Sequence, residues 1–158
     1  MGTYFNPDNE SFQRDVNSRI YVDKTGLLEE LNQVLCSSEN CIALSHARRF
    51  GKSQAAGMID AYYSIGSDSK ELFSGFEIAQ KPDFEKHLNQ YNVIHVDVAS
   101  FTDRYREGLV EKLWGMLYDE MAEECGELMD ASSPVGAVLM QVYKKSGRKL
   151  VIILDEWD

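Results

Sequence analysis

The sequence is short of positive charge: 16 Lys and Arg stand against 26 Asp and Glu, a formal net charge of −10. A nucleic-acid backbone demands a basic face, so this segment is not expected to grip one. Long apolar runs are missing as well. No stretch approaches the roughly 20 residues of a membrane span, and Met1–Tyr4 has neither the basic start nor the apolar core of a secretory leader. The expectation is a cytoplasmic address and no membrane partner. Cysteine is scarce and odd in number: Cys36, Cys41 and Cys125 form no C-x-x-C pair, which indicates neither a disulfide frame nor a zinc site. His46, His87 and His95 fall at no metal-ligand spacing and read as surface or core histidines. No internal repeat and no low-complexity linker interrupts the chain. What remains, 44% hydrophobic and 27% charged over 158 residues, is the composition of a soluble domain with one sizeable core.

Within that ordinary composition one stretch organises the rest. Ser45–Ser53 reads Ser-His-Ala-Arg-Arg-Phe-Gly-Lys-Ser, after the short apolar run Cys41–Leu44 and before Ala55, Ala56, Met58, Ile59, Tyr62 and Tyr63 at helical spacing. Strand, loop and helix in that order put Gly-Lys-Ser where a helix N-terminus can hold a phosphate, because the first-turn N–H groups and the helix dipole both favour an anion. Gly51 lets the backbone approach closely. Lys52 then sits on the terminal phosphates and the Ser53 hydroxyl on Mg²⁺. A full phosphate-binding loop also wants a glycine five residues before Gly51, where His46 stands, so an ordinary basic loop is the plain alternative. A second segment favours the phosphate loop. Lys149–Asp158 is an apolar strand ending in carboxylates, as in a Walker B strand: Asp155 for hydrated Mg²⁺, Glu156 to orient and deprotonate the attacking water.

Four segments together carry a resemblance: Tyr21-Val-Asp-Lys-Thr25, Arg48-Arg-Phe-Gly-Lys-Ser53, Leu72-Phe-Ser-Gly-Phe76 and Leu154-Asp-Glu-Trp-Asp158. In these the chain resembles the AAA-ATPase-like family, bacterial and archaeal proteins that commonly carry a PD-(D/E)XK nuclease-like domain after the ATPase. The resemblance covers nearly all of this chain, but only the front part of such a protein. Arg-Arg-Phe-Gly-Lys-Ser is the family's usual form, with the first loop glycine often replaced, so His46 counts less against the assignment. The resemblance implies an ATP-binding set of Arg48, Arg49, Phe50, Gly51, Lys52, Ser53 and Gln54, with Lys52 and Glu156 catalytic and Ser53 and Asp155 on Mg²⁺. For Arg48 and Arg49, pairing with the protein's own carboxylates stands beside nucleotide contact. Tyr21–Thr25 lines the nucleotide pocket by resemblance only.

Along the chain, residues 1–20 read as loop, with Phe5 and Phe12 as anchors and a short helix near Ser11–Val16. Asp23 is placed to cap the next helix, whose Leu27, Leu28, Leu31, Val34 and Leu35 share a face. Short helices follow near Ser69–Phe73 and Pro82–Asn89. Val93, Ile94, Val96 and Val98 make a buried strand, with Asp97 a capping group or a further polar group near the metal. A long helix spans about Asp103–Glu124, and its acidic residues in Asp119–Glu127 read as a solvated face. Ser133-Pro134 opens a last helix that Gly147 closes.

Strands alternating with helices call for a parallel sheet covered on its faces, with ligands at the strands' carboxyl ends. The fold expected is therefore α/β, a three-layer, parallel P-loop NTPase sheet, with a helical lead-in over 1–40 and a partial core over 41–158. Adjacent Asp155-Glu156 resembles the class with a catalytic glutamate and an additional strand, which follows Walker B in sequence and lies between the two motif strands. The chain stops at Asp158, so the strands around Ile42 and Ile152 are expected to stand apart with unpaired apolar edges that invite self-association. Nothing supplies an arginine finger or sensor residue convincingly, so any ATP hydrolysis by this chain alone is expected to be slow. The alternative function is a non-catalytic scaffold that binds a partner.

Overall fold

The computed structural model describes residues 2–45, 51–104 and 107–156. They fall into two compact units, one of residues 8–90 and one of residues 1–7 with 91–158.

Among its described residues the regular elements of the first unit are all helices. It runs α1 (Glu10–Val16), α2 (Gly26–Val34), α3 (Lys52–Tyr63), α4 (Lys70–Phe73), a 3₁₀ turn (Glu77–Gln80) and α5 (Phe84–His87). From Ala56 to Tyr63 every residue of α3 is buried. Its tyrosine hydroxyls are satisfied: Tyr63 Oη donates to Asn32 Oδ1 of α2 (2.8 Å), Asn32 Nδ2 donates to Tyr62 Oη (3.2 Å), and Tyr62 Oη donates to the Phe84 carbonyl (3.0 Å). Burial with a Coulombic push from Asp83, only partly offset by the Asn32 bond, raises the Tyr62 hydroxyl to about 12, so it stays a donor. Around this post Phe12, Phe73, Phe76 and Tyr21 form one aromatic cluster, with Phe12 stacked on Phe73 at 4.9 Å between ring centres. Gly57 lets α1 approach closely, since a Cβ there would come within 3.3 Å of Ser11 Oγ.

Cys41–Ser45 corrects the expected motif strand. These residues are irregular and exposed, with Ile42 45% and Leu44 48% accessible. A strand holds only through its neighbours, and among the described residues of this unit there is no strand to pair with.

The second unit is the α/β part: β1 (Asn92–Asp97), α6 (Val98–Arg104), α7 (Leu109–Cys125), α8 (Val135–Ser146) and β2 (Leu150–Asp155). Among the described residues the sheet has two strands, β1 and β2, parallel and in register from Asn92↔Leu150 to Asp97↔Asp155. Ile94 and Val96 of β1 pack with Leu117, Met121, Val138 and Val142 from α7 and α8. Register places Ile152 and Leu154 of β2 on that same face, yet they remain 54% and 57% exposed. Two boundaries differ from the expectation. Val98 begins α6 rather than ending the strand, and Gly108, at φ +63°, separates α6 from α7 where one long helix was expected.

Residues 2–6 are more ordered than a loop. Phe5 bridges Ile94 antiparallel on β1, Asn6 N–H donates to the Val93 carbonyl (2.7 Å), and His95 N–H donates to the Tyr4 carbonyl (2.9 Å). The carboxylate of Glu120 on α7 accepts the backbone N–H groups of Thr3, Tyr4 and Phe5 at 2.8–2.9 Å, and Asn6 Nδ2 donates to Glu124 (2.6 Å). Glu120 and Glu124 therefore hold the N-terminal segment, which corrects the reading of this stretch as a solvated face. Asp119, Glu123 and Glu127 are exposed, as that reading expected. Gly2 fits because a Cβ would collide with the Glu120 carboxylate and the Phe5 carbonyl.

Glu120→Ala leaves three backbone donors without their shared acceptor and should cost about 2–3 kcal/mol. Urea titration checks this: Glu120→Gln, which keeps one acceptor oxygen of the same shape, should fall between the alanine variant and wild type. An alanine variant with the wild-type midpoint would show that the carboxylate holds nothing.

Candidate functional site

α3 begins at Lys52, with Gly51 before it in the left-handed region (φ +81°, ψ 32°). A side chain there would cost about 1–2 kcal/mol in backbone strain, and a Cβ would meet Lys24 Nζ at 2.7 Å and Gln54 Oε1 at 3.0 Å. The first bond of the helix runs from Ala55 N–H to the Gly51 carbonyl (3.0 Å). Helix geometry gives the N–H groups of Lys52, Ser53 and Gln54 no partner within the helix itself. Ser53 and Gln54 are exposed and Lys52 is half-buried rather than fully solvent-facing. The end of α3 thus offers donors without intrahelical partners, a hydroxyl and an ammonium on a helix whose other two turns are locked in the core. Arg48, Arg49 and Phe50 of the expected set, with His46, lie outside the described residues.

The Tyr21–Thr25 segment has a physical role that spacing alone did not show. Asp23 caps no helix end by its side chain. Instead its Oδ1 accepts the Thr25 N–H (2.8 Å) and its Oδ2 the Glu77 N–H (3.0 Å). Thr25, fully buried, accepts the Ile78 N–H on Oγ1 (3.2 Å), and the Tyr21 ring lies 5.4 Å from that of Phe76. Two of the segments that carry the family resemblance, Tyr21–Thr25 and Leu72–Phe76, are therefore clamped together. Burial pushes the Asp23 carboxyl up, but the N–H bonds from Glu77 and Thr25 outweigh it and hold the group below its ordinary value of 3.8. Burial, with Asp23 and Asp15 nearby, raises the Tyr21 hydroxyl to about 12.

The carboxylates belong to the other unit. Asp155 closes β2, and Glu156 turns the chain at φ +51°, with its N–H donating to Asp155 Oδ1 (3.0 Å). A left-handed non-glycine residue is uncommon and is a recurrent feature of functional turns. Asp97 ends the neighbouring strand opposite Asp155. Its carboxylate accepts the Ser100 N–H (3.0 Å) and the Ser100 hydroxyl, so it caps α6 rather than waiting for a metal. Burial raises the Asp97 carboxyl and those two bonds more than reverse the effect. Among the described residues no three His, Cys, Asp or Glu side chains gather as a metal centre. Ser53 and Asp155, each within its own unit, carry oxygen donors of the hard kind that suits Mg²⁺.

A glycine-lysine-serine helix start and a parallel strand ending in Asp-Glu are two features that phosphate-loop nucleotide binders carry. The particular family is shown by comparison: the model of the AAA-ATPase-like family, described as predicted AAA-ATPase, matches residues 10–158, and the chain belongs to that family. No curated protein and no solved structure matches the chain. Its function is ATP-related at the level of the family. Among the described residues no helix is long and apolar enough to cross a membrane.

The Asp23 clamp predicts a pH dependence. A carboxyl whose pKa is lowered by folding contributes stability that is present above its unfolded value, 3.8, and is lost as pH falls through the lower folded value. Asp23→Asn should therefore be less stable than wild type at pH 7, and the gap in urea midpoint should narrow steadily below about pH 4. A gap that is constant from pH 7 to pH 3 would assign the loss to packing instead.

Proposed function

We propose that the chain binds ATP, with its phosphates on the N–H groups of Lys52, Ser53 and Gln54 at the start of α3. The observation that carries this reading is the left-handed Gly51 leading into an exposed helix start whose remaining turns are buried. Lys52 places its ammonium on the terminal phosphates. Arg48, Arg49 and Phe50 complete the nucleotide-binding set by their position in the motif. Ser53 and Asp155 are the oxygen donors for Mg²⁺, which when bound neutralises charge developing on the transferred phosphoryl group. Glu156 is the base for the attacking water, and the assignment rests on the Asp-Glu order at the end of an apolar strand.

The finer architecture belongs to the same proposal: a three-layer parallel sheet of the catalytic-glutamate class, with residues 1–40 as lead-in and 41–158 as core. A second reading, a non-catalytic scaffold, is favoured by one observation. The apolar face of β2 at Ile152 and Leu154 is more than half exposed, and such a surface invites association with another copy or another chain.

Equilibrium binding of labelled ATP with Mg²⁺ separates the readings. Lys52→Ala should weaken binding by about 100-fold, the scale of a lost charge-assisted contact, and leave the fold intact because the residue sits at the helix start. Wild-type affinity in this variant defeats the phosphate-loop assignment. Glu156→Gln keeps shape and loses the base, so it should bind ATP as wild type and abolish whatever phosphate release wild type shows. Equal release by both proteins assigns turnover to another group; binding without any release by either supports the scaffold.

A further inference from the structure

The two sides of β2 are not alike. In the parallel pair, Asn92 stands opposite Leu150 and its N–H donates to the Lys149 carbonyl (3.0 Å). Backbone direction alternates along a strand, so Lys149, Val151, Ile153 and Asp155 turn their N–H and C=O groups towards β1. Leu150, Ile152 and Leu154 turn theirs the other way, and among the described residues no strand takes them up. β1 obeys the same alternation, since its outward residues Val93 and His95 are the ones that bond Asn6 and Tyr4. The N-terminal segment therefore caps one edge of the sheet, and the β2 edge is open.

That open edge is apolar in the middle and charged at its ends. Ile152 and Leu154 are more than half exposed. Arg148 and Lys149 precede the strand, Asp155 closes it and Glu156 follows. Both basic residues are exposed. Lys149 also has an interaction within its own chain, so the ends match as net charge and not through a free ammonium. Charge on an edge strand ordinarily keeps other strands away. A basic start and an acidic end on one short strand instead favour a single geometry. Laid antiparallel on itself, the strand sets its basic start against the acidic end of the other copy, and does so twice. Laid parallel and in register, it sets like charges side by side, which is unfavourable.

We propose that the β2 edge is a self-association surface, on which a second copy of the chain adds its own β2 antiparallel and extends the two-stranded sheet across both copies. The two-fold axis passes between the two Ile152 residues. The outward-facing residues then form the hydrogen-bonded pairs: Ile152 with Ile152 of the second copy, and Leu150 with Leu154 in both directions, each pair exchanging both N–H···O bonds. Beyond them Lys149 faces Asp155, and Arg148 faces Glu156, of the other copy. Ile152 and Leu154 of both copies lie on one face and shield one another from water. Because the same patch serves both copies, the contact closes as a dimer and leaves no β2 edge open. The dimer rests on no part of the nucleotide reading; it commits the association named beside that reading to a second copy.

The test uses the full chain without Mg²⁺ or nucleotide, so its failure is separate from a failure to bind ATP. Sedimentation velocity from about 5 µM to about 500 µM spans the affinities of a small, weak interface. Wild type should pass from monomer to dimer over that range. Arg148→Glu/Lys149→Glu and Asp155→Lys/Glu156→Lys should each weaken dimerisation by about tenfold or more. An equal mixture of the two should dimerise at least as well as wild type, because both ends then match between unlike copies. Ile152→Lys, at an exposed position, should remain monomeric, with circular dichroism checking that each variant is folded. By hydrogen exchange, the amides of Leu150, Ile152 and Leu154 should gain protection as concentration rises, whereas those of Val151 and Ile153 are already held by β1. If a charge variant fails to fold, Ile152→Lys and the exchange pattern decide. A wild type that is monomeric throughout overturns the proposal and leaves the edge to a different chain. A dimer that Ile152→Lys or a folded charge variant leaves intact, or one whose new protection lies outside 150–154, overturns it as well.

Discussion

A helix presents its free N–H groups to an anion in a fixed direction only if the rest of it cannot move. That constraint governs the first unit. α3 has eight successive buried residues, Ala56–Tyr63, and the hydroxyls of Tyr62 and Tyr63 are tied to Asn32 of α2 and to the Phe84 carbonyl. Removing a buried tyrosine hydroxyl from such a chain leaves a polar partner unsatisfied, which costs about 1–3 kcal/mol. Disorder at the C-terminal end of α3 would therefore reach its N-terminal end, where Gly51, Lys52 and Ser53 lie. The aromatic cluster of Phe12, Tyr21, Phe73 and Phe76 continues the same post sideways and brings the 21–25 and 72–76 segments into one body.

The second unit solves a different problem, how to keep a sheet of few strands from fraying. Parallel pairing of β1 and β2 is short, and a pair of strands alone is marginal in water. The N-terminal segment lends β1 an antiparallel bridge on its free side, and Glu120 turns three otherwise idle N–H groups into charge-assisted bonds. On the other side nothing comparable covers Ile152 and Leu154 among the described residues of this unit. Among the described residues β1 is the one strand that β2 pairs with, and Glu156 follows β2 in a left-handed turn.

Much of this was legible in the residues. The helical face Leu28–Leu31, the buried anchors Phe5 and Phe12, the turn into α3, the apolar strand ending at Asp155 and the closing Gly147 all follow from local periodicity and turn chemistry. The failures share one cause: each depended on a partner far away in sequence. Cys41–Leu44 has the composition of a buried strand, but a strand is made by its neighbour. Asp23 has the position of a cap, and distinguishing a cap from a bridge to Glu77 requires knowing that a segment more than 50 residues away arrives there. Glu120 and Glu124 sit in a run of acids whose helical neighbours are solvated, and their targets are residues 3–6. At the candidate site, Gly-Lys-Ser and Asp-Glu stand out because each is a run of adjacent residues, one at a helix start and one at a strand end.

The charge of the chain bears on how such a site works. A formal net charge of −10 opposes a polyanion at long range, so attraction cannot come from the protein's overall field. At physiological ionic strength exposed charges are screened beyond about 8 Å, which confines the decision to groups that touch the ligand. For an acidic chain to hold phosphate, favourable electrostatics would have to be concentrated in a small volume, as at the start of α3 with its first-turn N–H groups and Lys52. Each is weak in water and would gain strength wherever a ligand displaces solvent. The arrangement also separates specificity from stability. The clamp bonds of Asp23 and Thr25 hold their segment whether or not an anion is present, so its stability does not depend on what the helix start binds.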